Sequence, residues 1–336
     1  MTSDAESRFW DGRRVLVTGA GGFIGSHLTE LLARSGATVR AFVRYTSTGK
    51  YGWLDSTEPE LLEQIDVFRG DLANPEAAIN AVEGQDVVFH LGALIPIPYS
   101  YLHPREFVTA NVEGTLNVLE AARRVGVQRL VQTSSSEVYG TAQTVPIDED
   151  HPLHPQSPYA ATKVAADQIA LSYQHSFDVP VVVARPFNTF GPRQSARAVI
   201  PTIIAQALSR EVIELGSTTT TRDFLFVEDT ARGLMACGSA EGVDGATINL
   251  GTGEEASVAD VAARILQLVG LDVPMQLDES RLRPAGSEVE RLVADASKAK
   301  RLLGWESQVT LDEGLQRTID WMRESLDAYR PSIYNV

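Results

Sequence analysis

The stretch Val15-Leu16-Val17-Thr18-Gly19-Ala20-Gly21-Gly22-Phe23-Ile24-Gly25 joins a short apolar run to a helical pattern that continues from Ser26 to Arg34. A strand, a glycine turn and a helix in this order are the context in which glycines bind a dinucleotide. Gly19 permits the tight turn, Gly22 lets the backbone approach a pyrophosphate, and Gly25 permits close packing of the helix, whose N-terminus faces the anion. The stretch therefore predicts a dinucleotide site, although such glycines also occur in turns that bind nothing.

Strand and helix patterns alternate along the first half of the chain. Runs with strand character lie at 38–43, 66–69, 86–91, 129–133 and 179–184, with helical patterns between them. This alternation predicts an α/β fold with a Rossmann-type doubly wound parallel sheet. The turn-rich segment 185–193 indicates that the chain then leaves the sheet. We predict a dinucleotide-binding domain in residues 1–186, with later returns near 222–250, and a smaller mixed α/β substrate domain in residues 187–330.

Composition and charge narrow the classes of protein. The chain has 336 residues, 43% of them hydrophobic and 22% charged, which is typical of a globular protein with a large core. Its formal net charge of −15 argues against a nucleic-acid partner, because phosphate backbones require clustered Lys and Arg. The single cysteine, Cys237, allows neither an intrachain disulfide nor a Cys-based metal cluster. No apolar run reaches the ~20 residues of a membrane span, so we expect a cytoplasmic protein. We also expect no metal site.

The second predicted strand ends at Arg44, where a dinucleotide site commonly places an acid for the ribose 2′-hydroxyl. A guanidinium suits a 2′-phosphate better, because it supplies positive charge and forked donors. Arg44 therefore favours NADP over NAD. The alternatives are a solvated loop residue at this position and NAD as the cofactor.

The segment Ile95–Tyr101 contains Pro96 and Pro98, which remove backbone donors and fix the chain. We predict a loop here, at the carboxyl ends of the strands, where ligands bind in this architecture. Pro104 is predicted to begin a long amphipathic helix that contains Asn111, for which a polar surface position is the alternative to a place in the ligand site. One face of this helix is expected to hold Phe107, Val108, Val112, Leu116, Leu119 and Ala122.

Tyr159 and Lys163 are spaced i, i+4 on a helix that Ser157-Pro158 begins, so they share one face. They follow a predicted strand that ends in the serines at 134–136. A free tyrosine has a pKa of about 10 and is a poor base at neutral pH, but a neighbouring ammonium favours the phenolate. We predict that Lys163 and a cationic nicotinamide ring together lower the pKa of Tyr159, which then takes a proton from a substrate hydroxyl aligned by Ser135. Taken alone, a tyrosine and a lysine at this spacing also arise by chance.

Together these segments resemble the extended short-chain dehydrogenase/reductases that act on nucleotide sugars. The resemblance rests on Gly19-x-x-Gly-x-x-Gly25, Ser135-Ser136-Glu137-Val138-Tyr139-Gly140, Tyr159-x-x-x-Lys163, Pro186-Phe187-Asn188-Thr189-Phe190-Gly191-Pro192, Arg222-Asp223-Phe224 and Leu303-Gly304-Trp305. It implies an enzyme that binds a nucleotide-diphosphate sugar, keeps NAD(P) tightly bound and recycled, and forms a homodimer.

The resemblance also assigns residues to the reaction and to the two ligands. Catalytic roles are implied for Ser135, Ser136, Glu137, Tyr159 and Lys163. Cofactor contacts are implied at Gly19, Gly22, Phe23, Ile24, Gly25, Arg44, Asp71, Leu72, Leu91, Gly92, Ala93, Asn111, Tyr159, Lys163 and Pro186. Substrate contacts are implied at Pro98, Asn188, Arg193, Arg197, Val199, Arg222, Arg283 and Glu288. Asp71 could equally be a turn residue, and each arginine taken alone could be a surface residue.

Three reactions of these enzymes begin with oxidation at C4 of the sugar. In the 4,6-dehydratases, an acid/base pair directly after the Ser/Thr removes the C5 proton and expels the C6 hydroxyl, and hydride returns to C6. Ser136-Glu137 occupies this position, and the carboxylate of Glu137 is placed to accept the proton. The dTDP-glucose enzymes have Asp-Glu here, which argues against that substrate. The resemblance therefore implies a 4,6-dehydratase that acts on another nucleotide sugar.

The pair Ser136-Glu137 is similar to that of the GDP-mannose 4,6-dehydratases. Above the others, the chain resembles dehydratases of legionaminic acid pathways that act on GDP-N-acetylglucosamine, through segments 97–101, 194–201 and 287–292. These relatives usually have threonine where this chain has Ser135. UDP-glucuronate decarboxylases generally lack the aspartate after Arg222, so decarboxylation ranks second. Epimerisation, which leaves Glu137 idle, ranks third, and a non-catalytic dinucleotide-binding sensor is the alternative from another class.

Overall fold

A seven-stranded parallel sheet forms the centre of the molecule in a computed structural model that describes residues 8–329. The β-strands, in chain order, are β1 (Arg14–Thr18), β2 (Thr38–Arg44), β3 (Asp66–Gly70), β4 (Val87–His90), β5 (Arg129–Thr133), β6 (Val181–Pro186), β7 (Asn188–Phe190), β8 (Ile213–Leu215), β9 (Thr221–Arg222), β10 (Phe224–Phe226), β11 (Thr247–Leu250), β12 (Ala256–Ser257), β13 (Met275–Leu277) and β14 (Arg291–Leu292). The α-helices are α1 (Phe23–Arg34), α2 (Pro59–Leu62), α3 (Pro75–Val82), α4 (Ile97–Leu102), α5 (Pro104–Phe107), α6 (Gly114–Val125), α7 (Pro158–Phe177), α8 (Val199–Ala207), α9 (Val227–Ser239), α10 (Val258–Val269), α11 (Ser297–Leu303) and α12 (Leu311–Glu324). None of the helices within residues 8–329 has the length and apolar character needed to cross a bilayer.

The main sheet has the strand order β3-β2-β1-β4-β5-β6-β11, and its pairings are parallel. Its central strands are buried on both faces, which explains their nearly continuous apolar runs. The chain passes from β1 to β2 and β3 before it returns to β4 on the other side of β1, so the strand order reverses between β1 and β4. Ligands bind outside the carboxyl ends of the strands at such a switch point. The sheet confirms the predicted α/β, Rossmann-type fold class.

A second apolar core forms from residues that follow β6. Its fully buried members include Ile203 of α8, Ile265 of α10 and Leu315 of α12. The same part of the chain forms three small sheets, in which β7 pairs with β10, β9 with β12 and β14, and β8 with β13. Strand β11 returns to the main sheet beside β6. The predicted domain ranges, 1–186 and 187–330, include residues 1–7 and 330, which lie outside the described residues.

The segment that the sequence predicts as a loop, residues 95–101, contains the short helix α4, so that prediction was wrong. Pro96 immediately precedes the helix, and Pro98 lies in its first turn. The N–H groups of a first turn have no intrahelical acceptor, so a proline there removes no helical hydrogen bond. Both prolines are therefore compatible with the helix.

A π-type turn at Val108–Glu113 joins α5 to α6 and changes the face that the sequence predicts for this region. Val108 and Leu116, both predicted on the packed face, are 45% and 39% exposed. Asn111 is buried, which excludes the alternative of a surface position. Its side chain accepts the Leu94 N–H at 2.7 Å and donates to the Leu94 carbonyl at 2.9 Å. Asn111 thereby satisfies both backbone groups of a residue that lies beyond the end of β4, where the sheet offers no partner.

Candidate active site

The glycine turn between β1 and α1 forms a cradle without side chains at the switch point of the sheet. Gly19 has a φ of 71°, and a Cβ atom there would lie 2.9 Å from the backbone of Gly92, just after β4. A Cβ atom on Gly25 would lie 2.2 Å from the carbonyl oxygen of Gly19. The N-cap residue of α1 is Gly22, which has no side chain to occupy the first N–H groups of the helix. These free donors and the bare backbone fit the pyrophosphate of a dinucleotide.

The neighbouring residues predicted for the cofactor lie along the same edge of the sheet. Phe23 and Ile24 are half-buried at the start of α1 and pack against the second apolar core. Asp71 is exposed after β3, and its carboxylate accepts the Ala73 N–H at 3.0 Å, as a turn residue does. Leu72 packs against Gly92, where a Cβ atom would lie 2.3 Å from Leu72 Cδ1. Ala93 is half-buried beyond β4, and Pro186 is buried at the end of β6.

The loop after β2 contacts the glycine turn, and two arginines lie beside it on β2 and β3. The Trp53 N–H donates to the carbonyl of Gly21 at 2.9 Å. Arg44 is exposed at the end of β2. On the adjacent strand, Arg69 donates to the Tyr51 hydroxyl at 2.8 Å. Two guanidinium groups therefore lie at the carboxyl ends of β2 and β3.

A chain of buried hydrogen bonds fixes the turn that follows β4. The Thr115 hydroxyl donates to the carbonyl of Asn111 at 2.6 Å, so it accepts from Nε2 of His90 at 3.0 Å. Nδ1 of His90 then accepts from the Thr18 hydroxyl at 2.8 Å, and Thr18 Oγ1 accepts the N–H groups of Leu91 and Gly92. Burial lowers the pKa of His90 to about 3, so the ring stays neutral and keeps this arrangement.

The serine turn after β5 and the start of α7 bring four predicted catalytic residues together. Ser135 begins a 3-10 turn, Ser136–Tyr139, and its hydroxyl accepts the Glu137 N–H at 3.2 Å. The Ser135 side chain also acts on Tyr159, whose pKa it tends to lower. As predicted, Ser157 caps α7, its hydroxyl accepting the Ala160 N–H at 3.1 Å. The side chains of Ser136, Glu137 and Tyr159 are buried.

Among the groups of the protein itself, burial has the largest effect on the pKa of Tyr159. Burial raises it to about 12, because removal of water from around the phenol outweighs the hydrogen bond with Ser135, and the charge of Glu137 acts in the same direction as burial. Lys163 is also buried and donates to the carbonyl of Thr133 at 2.6 Å. Burial lowers the pKa of Lys163 to about 8. Tyr159 therefore stays protonated at neutral pH unless further positive charge is brought beside it.

Two arginines and one further glutamate lie around Glu137, the carboxylate of the serine turn. Nη1 of Arg283 lies 3.8 Å from Glu137 Oε1 and 3.8 Å from Glu288 Oε1. Arg222 lies 3.6 Å from Glu288 and donates to the carbonyl of Thr221 at 2.9 Å. Nη1 of Arg283 is buried without a hydrogen-bond partner among the described residues. The ion pairs are loose, so donors remain for an anionic ligand.

Other residues predicted for the substrate lie elsewhere or have other partners. Arg193 is buried and binds Glu30 of α1 at 2.8 Å, whereas Arg197 is exposed. Asn188 Oδ1 is buried without a hydrogen-bond partner in the described part of the chain. The remaining two, half-buried in α4 and at the start of α8, are Pro98 and Val199. Within residues 8–329, no three His, Cys, Asp or Glu side chains are grouped so as to hold a metal ion.

A buried polar network beside the site was missed by the sequence analysis. Asp167 Oδ2 accepts from Ser134 Oγ at 2.6 Å and from Nη2 of Arg185 at 3.2 Å. Nη1 of Arg185 donates to the Tyr139 hydroxyl at 2.9 Å, which donates to Asn249 at 2.7 Å. The available signal was the spacing of Asp167, which follows Lys163 by the same four residues that separate Lys163 from Tyr159.

Asp223, whose presence in the sequence ranks decarboxylation second, holds the backbone of neighbouring segments in place. Its carboxylate is fully buried and accepts N–H groups of Thr252, Gly253 and Ala294 at 2.9 to 3.2 Å. The Thr252 hydroxyl also donates to it at 2.7 Å. Because all these partners belong to the protein frame, Asp223 provides no chemical reason to separate one reaction from another.

A hydrogen-bonded contact joins α4 to the segment that carries the arginines and glutamates. The Tyr101 hydroxyl donates to Ser287 Oγ at 2.6 Å, and Ser287 Oγ donates to the carbonyl of Gln156 at 2.6 Å. The side chain of Gln156 donates in turn to the carbonyl of Glu288 at 2.8 Å. These bonds fix the segment of Glu288 against the residues that precede α7.

The model of the GDP-mannose 4,6-dehydratase family matches residues 16–318. The chain belongs to this family. It is 34% identical over 316 residues to the UDP-glucose 4-epimerase of Mycolicibacterium smegmatis, with 92% of this chain and 98% of the relative covered. It is also 34% identical to UDP-glucuronic acid decarboxylase 1 of Xenopus tropicalis, over 94% of this chain and 74% of the relative.

A solved structure supports the same membership. DesIV, the dTDP-glucose 4,6-dehydratase of Streptomyces venezuelae solved with NAD bound, has a TM-score of 0.84 and 29% identity, with 95% of this chain and 99% of DesIV covered. The extended short-chain dehydrogenase/reductase family and dependence on NAD(P) are thus confirmed. Members of the GDP-mannose 4,6-dehydratase family modify nucleotide sugars, so this chain is an enzyme of that class.

The close packing at Gly25 predicts that one added methyl group there weakens binding of the dinucleotide. In Gly25→Ala, the new Cβ atom meets the Gly19 carbonyl, so the turn must move away from the anion site. We expect NAD(P) to bind at least about tenfold more weakly, or ~1.4 kcal/mol, by titration calorimetry. Gly286→Ala is the control, because no atom lies within 4 Å of a Cβ atom at that position. Equal affinity in both variants would contradict the assignment of the cradle.

Proposed function

We propose that the protein is a nucleotide-sugar 4,6-dehydratase. The C4 hydroxyl of the bound sugar is oxidised, water is eliminated across C5 and C6, and hydride returned to C6 gives a 4-keto-6-deoxy sugar. The observation that carries this proposal is the position of Glu137, a carboxylate in the buried pocket of Ser135 and Tyr159. Transfer of hydrogen at C4 alone needs one base, whereas elimination across C5 and C6 needs a second.

Tyr159 is the base for the C4 hydroxyl, and Ser135 aligns that hydroxyl. Because burial raises the pKa of Tyr159 to about 12, positive charge beside the phenol is required before it can accept a proton. Lys163, one turn further along α7, supplies part of that charge. A bound NAD(P) supplies hydride acceptance and return, with a positive charge on its oxidised ring.

Glu137 acts at the next carbon. Oxidation at C4 makes the C5 proton acidic, because the adjacent carbonyl stabilises the negative charge that its loss creates. Glu137 removes this proton, and Ser136 and Glu137 assist the departure of the C6 hydroxyl as water. Arg283, at 3.8 Å, orients the carboxylate towards the sugar.

The substrate is a nucleotide-diphosphate sugar, and the resemblance to legionaminic acid pathway enzymes favours GDP-N-acetylglucosamine. Arg222 and Arg283 are the residues we assign to the diphosphate, since both keep donors beyond their loose pairs with Glu288. The roles of Pro98, Asn188, Arg193, Arg197 and Val199 stay predictions. The division into two domains also stays a prediction: a cofactor part in residues 1–186 with 222–250, and a substrate part in residues 187–330. The cytoplasmic location is a further prediction.

Decarboxylation of a nucleotide-linked hexuronic acid is the second candidate. It is favoured by the position of Arg283, whose guanidinium could bind a C6 carboxylate beside Glu137. The relative from Xenopus tropicalis bears the name of such a decarboxylase. Epimerisation at C4 is third, because it gives Glu137 no task.

A panel of GDP-, UDP- and dTDP-sugars separates these candidates by product mass. We expect a GDP-sugar to lose the mass of water, whereas loss of carbon dioxide or an unchanged mass indicates the second or third candidate. In Glu137→Gln, the amide cannot take the C5 proton, so C4 oxidation should proceed and water loss should fall at least about a hundredfold. Tyr159→Phe is the control, and it should block oxidation itself. Dehydration at the parental rate in Glu137→Gln would exclude the elimination role.

We also propose NADP as the preferred cofactor, on the basis of Arg44 at the end of β2. Arg44→Asp places a carboxylate there, which accepts a ribose 2′-hydroxyl and repels a 2′-phosphate. We expect the ratio of the dissociation constants for NADP and NAD to rise at least about tenfold. Arg301→Asp, which makes the same exchange at an exposed residue of α11, should leave the ratio unchanged. A ratio unaffected by Arg44→Asp would favour NAD.

A homodimer is the proposed assembly, supported by the exposed Val108 and Leu116 on the outer side of the segment from α5 to α6. These side chains are spaced eight residues apart and present apolar surface to solvent. Leu116→Arg is expected to halve the mass in solution measured by light scattering. Leu277→Arg, at a residue 64% exposed on β13, should leave the mass unchanged. A parental protein with the mass of one chain would rule the assembly out.

A further inference from the structure

Asp167 is a fully buried carboxylate on α7, and the roles proposed above do not use it. Tyr159, Lys163 and Asp167 are spaced i, i+4 and i+8, so their side chains project from one face of the helix. A buried carboxylate is costly unless it is paired and hydrogen-bonded. The groups around Asp167 therefore indicate what the charge does there.

Asp167 ties α7 to the strands on which the serine turn is built. Its Oδ2 accepts from Ser134 Oγ at 2.6 Å, and Ser134 immediately precedes Ser135. The same oxygen accepts from Nη2 and Nε of Arg185, on β6, at 3.2 and 3.3 Å. Its Oδ1 has no hydrogen-bond partner among the described residues. The carboxylate is thus held on one side and keeps unpaired charge on the other.

Lys163 lacks a close anionic partner of its own in the described part of the chain. Its ammonium donates to the carbonyl of Thr133 at 2.6 Å, and that acceptor is neutral. Three titratable groups act on Lys163 or Tyr159 or are acted on by them: the neutral His90 of β4, Glu137 of the 3-10 turn and Asp167 of α7 itself. Arg185 of β6 pairs with Asp167. Burial lowers the pKa of Lys163, and the charge of Asp167 opposes this.

We propose that Asp167 is a positioning residue for the reaction at Tyr159: its charge keeps Lys163 protonated, and its bonds to Ser134 and Arg185 hold α7 against the serine turn. This inference rests on the roles proposed for Tyr159 and Lys163. An ammonium beside Tyr159 favours the phenolate, whereas a neutral amine does not. Asp167 thus acts on the base through Lys163, without contact with the substrate.

Asp167→Asn removes the charge and retains the shape. The pKa of Lys163 then falls below about 8, so the loss of activity on the alkaline side begins at lower pH. The charge of Asp167 also acts to raise the pKa of Tyr159, so its removal moves the acid side to lower pH as well. We expect kcat to be about tenfold below the parent at roughly pH 8 and the deficit to shrink towards roughly pH 6. A deficit of constant size across this range would mean that Asp167 is only structural.

Two further variants separate the charge from the hydrogen bonds. Ser134→Ala removes one hydrogen bond to Asp167 and keeps the charge, so it should change the height of the pH profile and not its position. Asp167→Glu keeps the charge and should restore the position of the parental profile. Should Asp167→Asn fail to fold, Asp167→Gln replaces it, because Gln and Glu at this position differ only in charge. Identical profiles for the Gln and Glu variants would overturn the proposal.

The readout distinguishes failure of this inference from failure of the proposed function. Each variant is mixed with the nucleotide sugar that reduces the cofactor in the parent, and reduction is followed by the absorbance of reduced nicotinamide. The product mass is measured in the same samples. A parent that reduces the cofactor and releases no dehydrated sugar contradicts the dehydratase alone. A pH profile that does not move in Asp167→Asn contradicts the role of Asp167 alone.

Discussion

The hydrogen bond from the Lys163 ammonium to the Thr133 carbonyl, at 2.6 Å, joins α7 to β5 inside a layer from which water is excluded. A charge in such a place is tolerated only with compensation from nearby dipoles and opposite charges. This constraint explains why several polar side chains between the sheet and α7 are hydrogen-bonded to other groups of the protein. Asn111 donates to Thr162 at 3.0 Å as well as to the backbone, and His90 stays neutral between two hydroxyls. Tyr159 takes its position from the same helix, so the geometry of the proposed base follows from the anchoring of Lys163.

Several of the sequence marks of the family serve this frame and not the reaction. Asp223 binds the backbone around residues 252, 253 and 294, and so fixes Arg222, which precedes it, at the rim of the site. Asp229 accepts the N–H groups of Gln308 and Val309 at 2.9 to 3.1 Å, and the Trp305 ring donates to the Asp229 carbonyl at 3.1 Å. A common frame of this kind is consistent with relatives that bear the names of an epimerase, a decarboxylase and a dehydratase.

Much of the fold was predictable because its elements have clear local signals. Helices α3 and α10 begin at clear local signals, since Asn74 caps a helix that begins at Pro75 and Ser257 forms a capping box. The α4 helix was missed because a proline in a first turn and a proline in a loop look alike in sequence. The inward position of Asn111 and the raised pKa of Tyr159 both depend on burial, which the local pattern does not reveal. The partners of Asp167 come from β5 and β6, so only the folded sheet brings them together. The roles of the site residues themselves stay predictions.

The charges around Glu137 bear on which reaction the frame serves. Arg283 lies 3.8 Å from both Glu137 and Glu288, so one guanidinium already faces two carboxylates before any substrate is bound. A nucleotide-diphosphate sugar brings further negative charge to the same arginine and to Arg222. A hexuronic acid would add a carboxylate at C6 beside Glu137, and Arg283 would then have to serve the diphosphate, Glu137 and the new carboxylate at once. A sugar with a neutral C6 hydroxyl makes no such demand and presents to Glu137 the group that a dehydratase expels. Under the proposed assignment of Arg283 to the diphosphate, the charges in the pocket therefore rank dehydration above decarboxylation, although Arg283 alone would suit a C6 carboxylate.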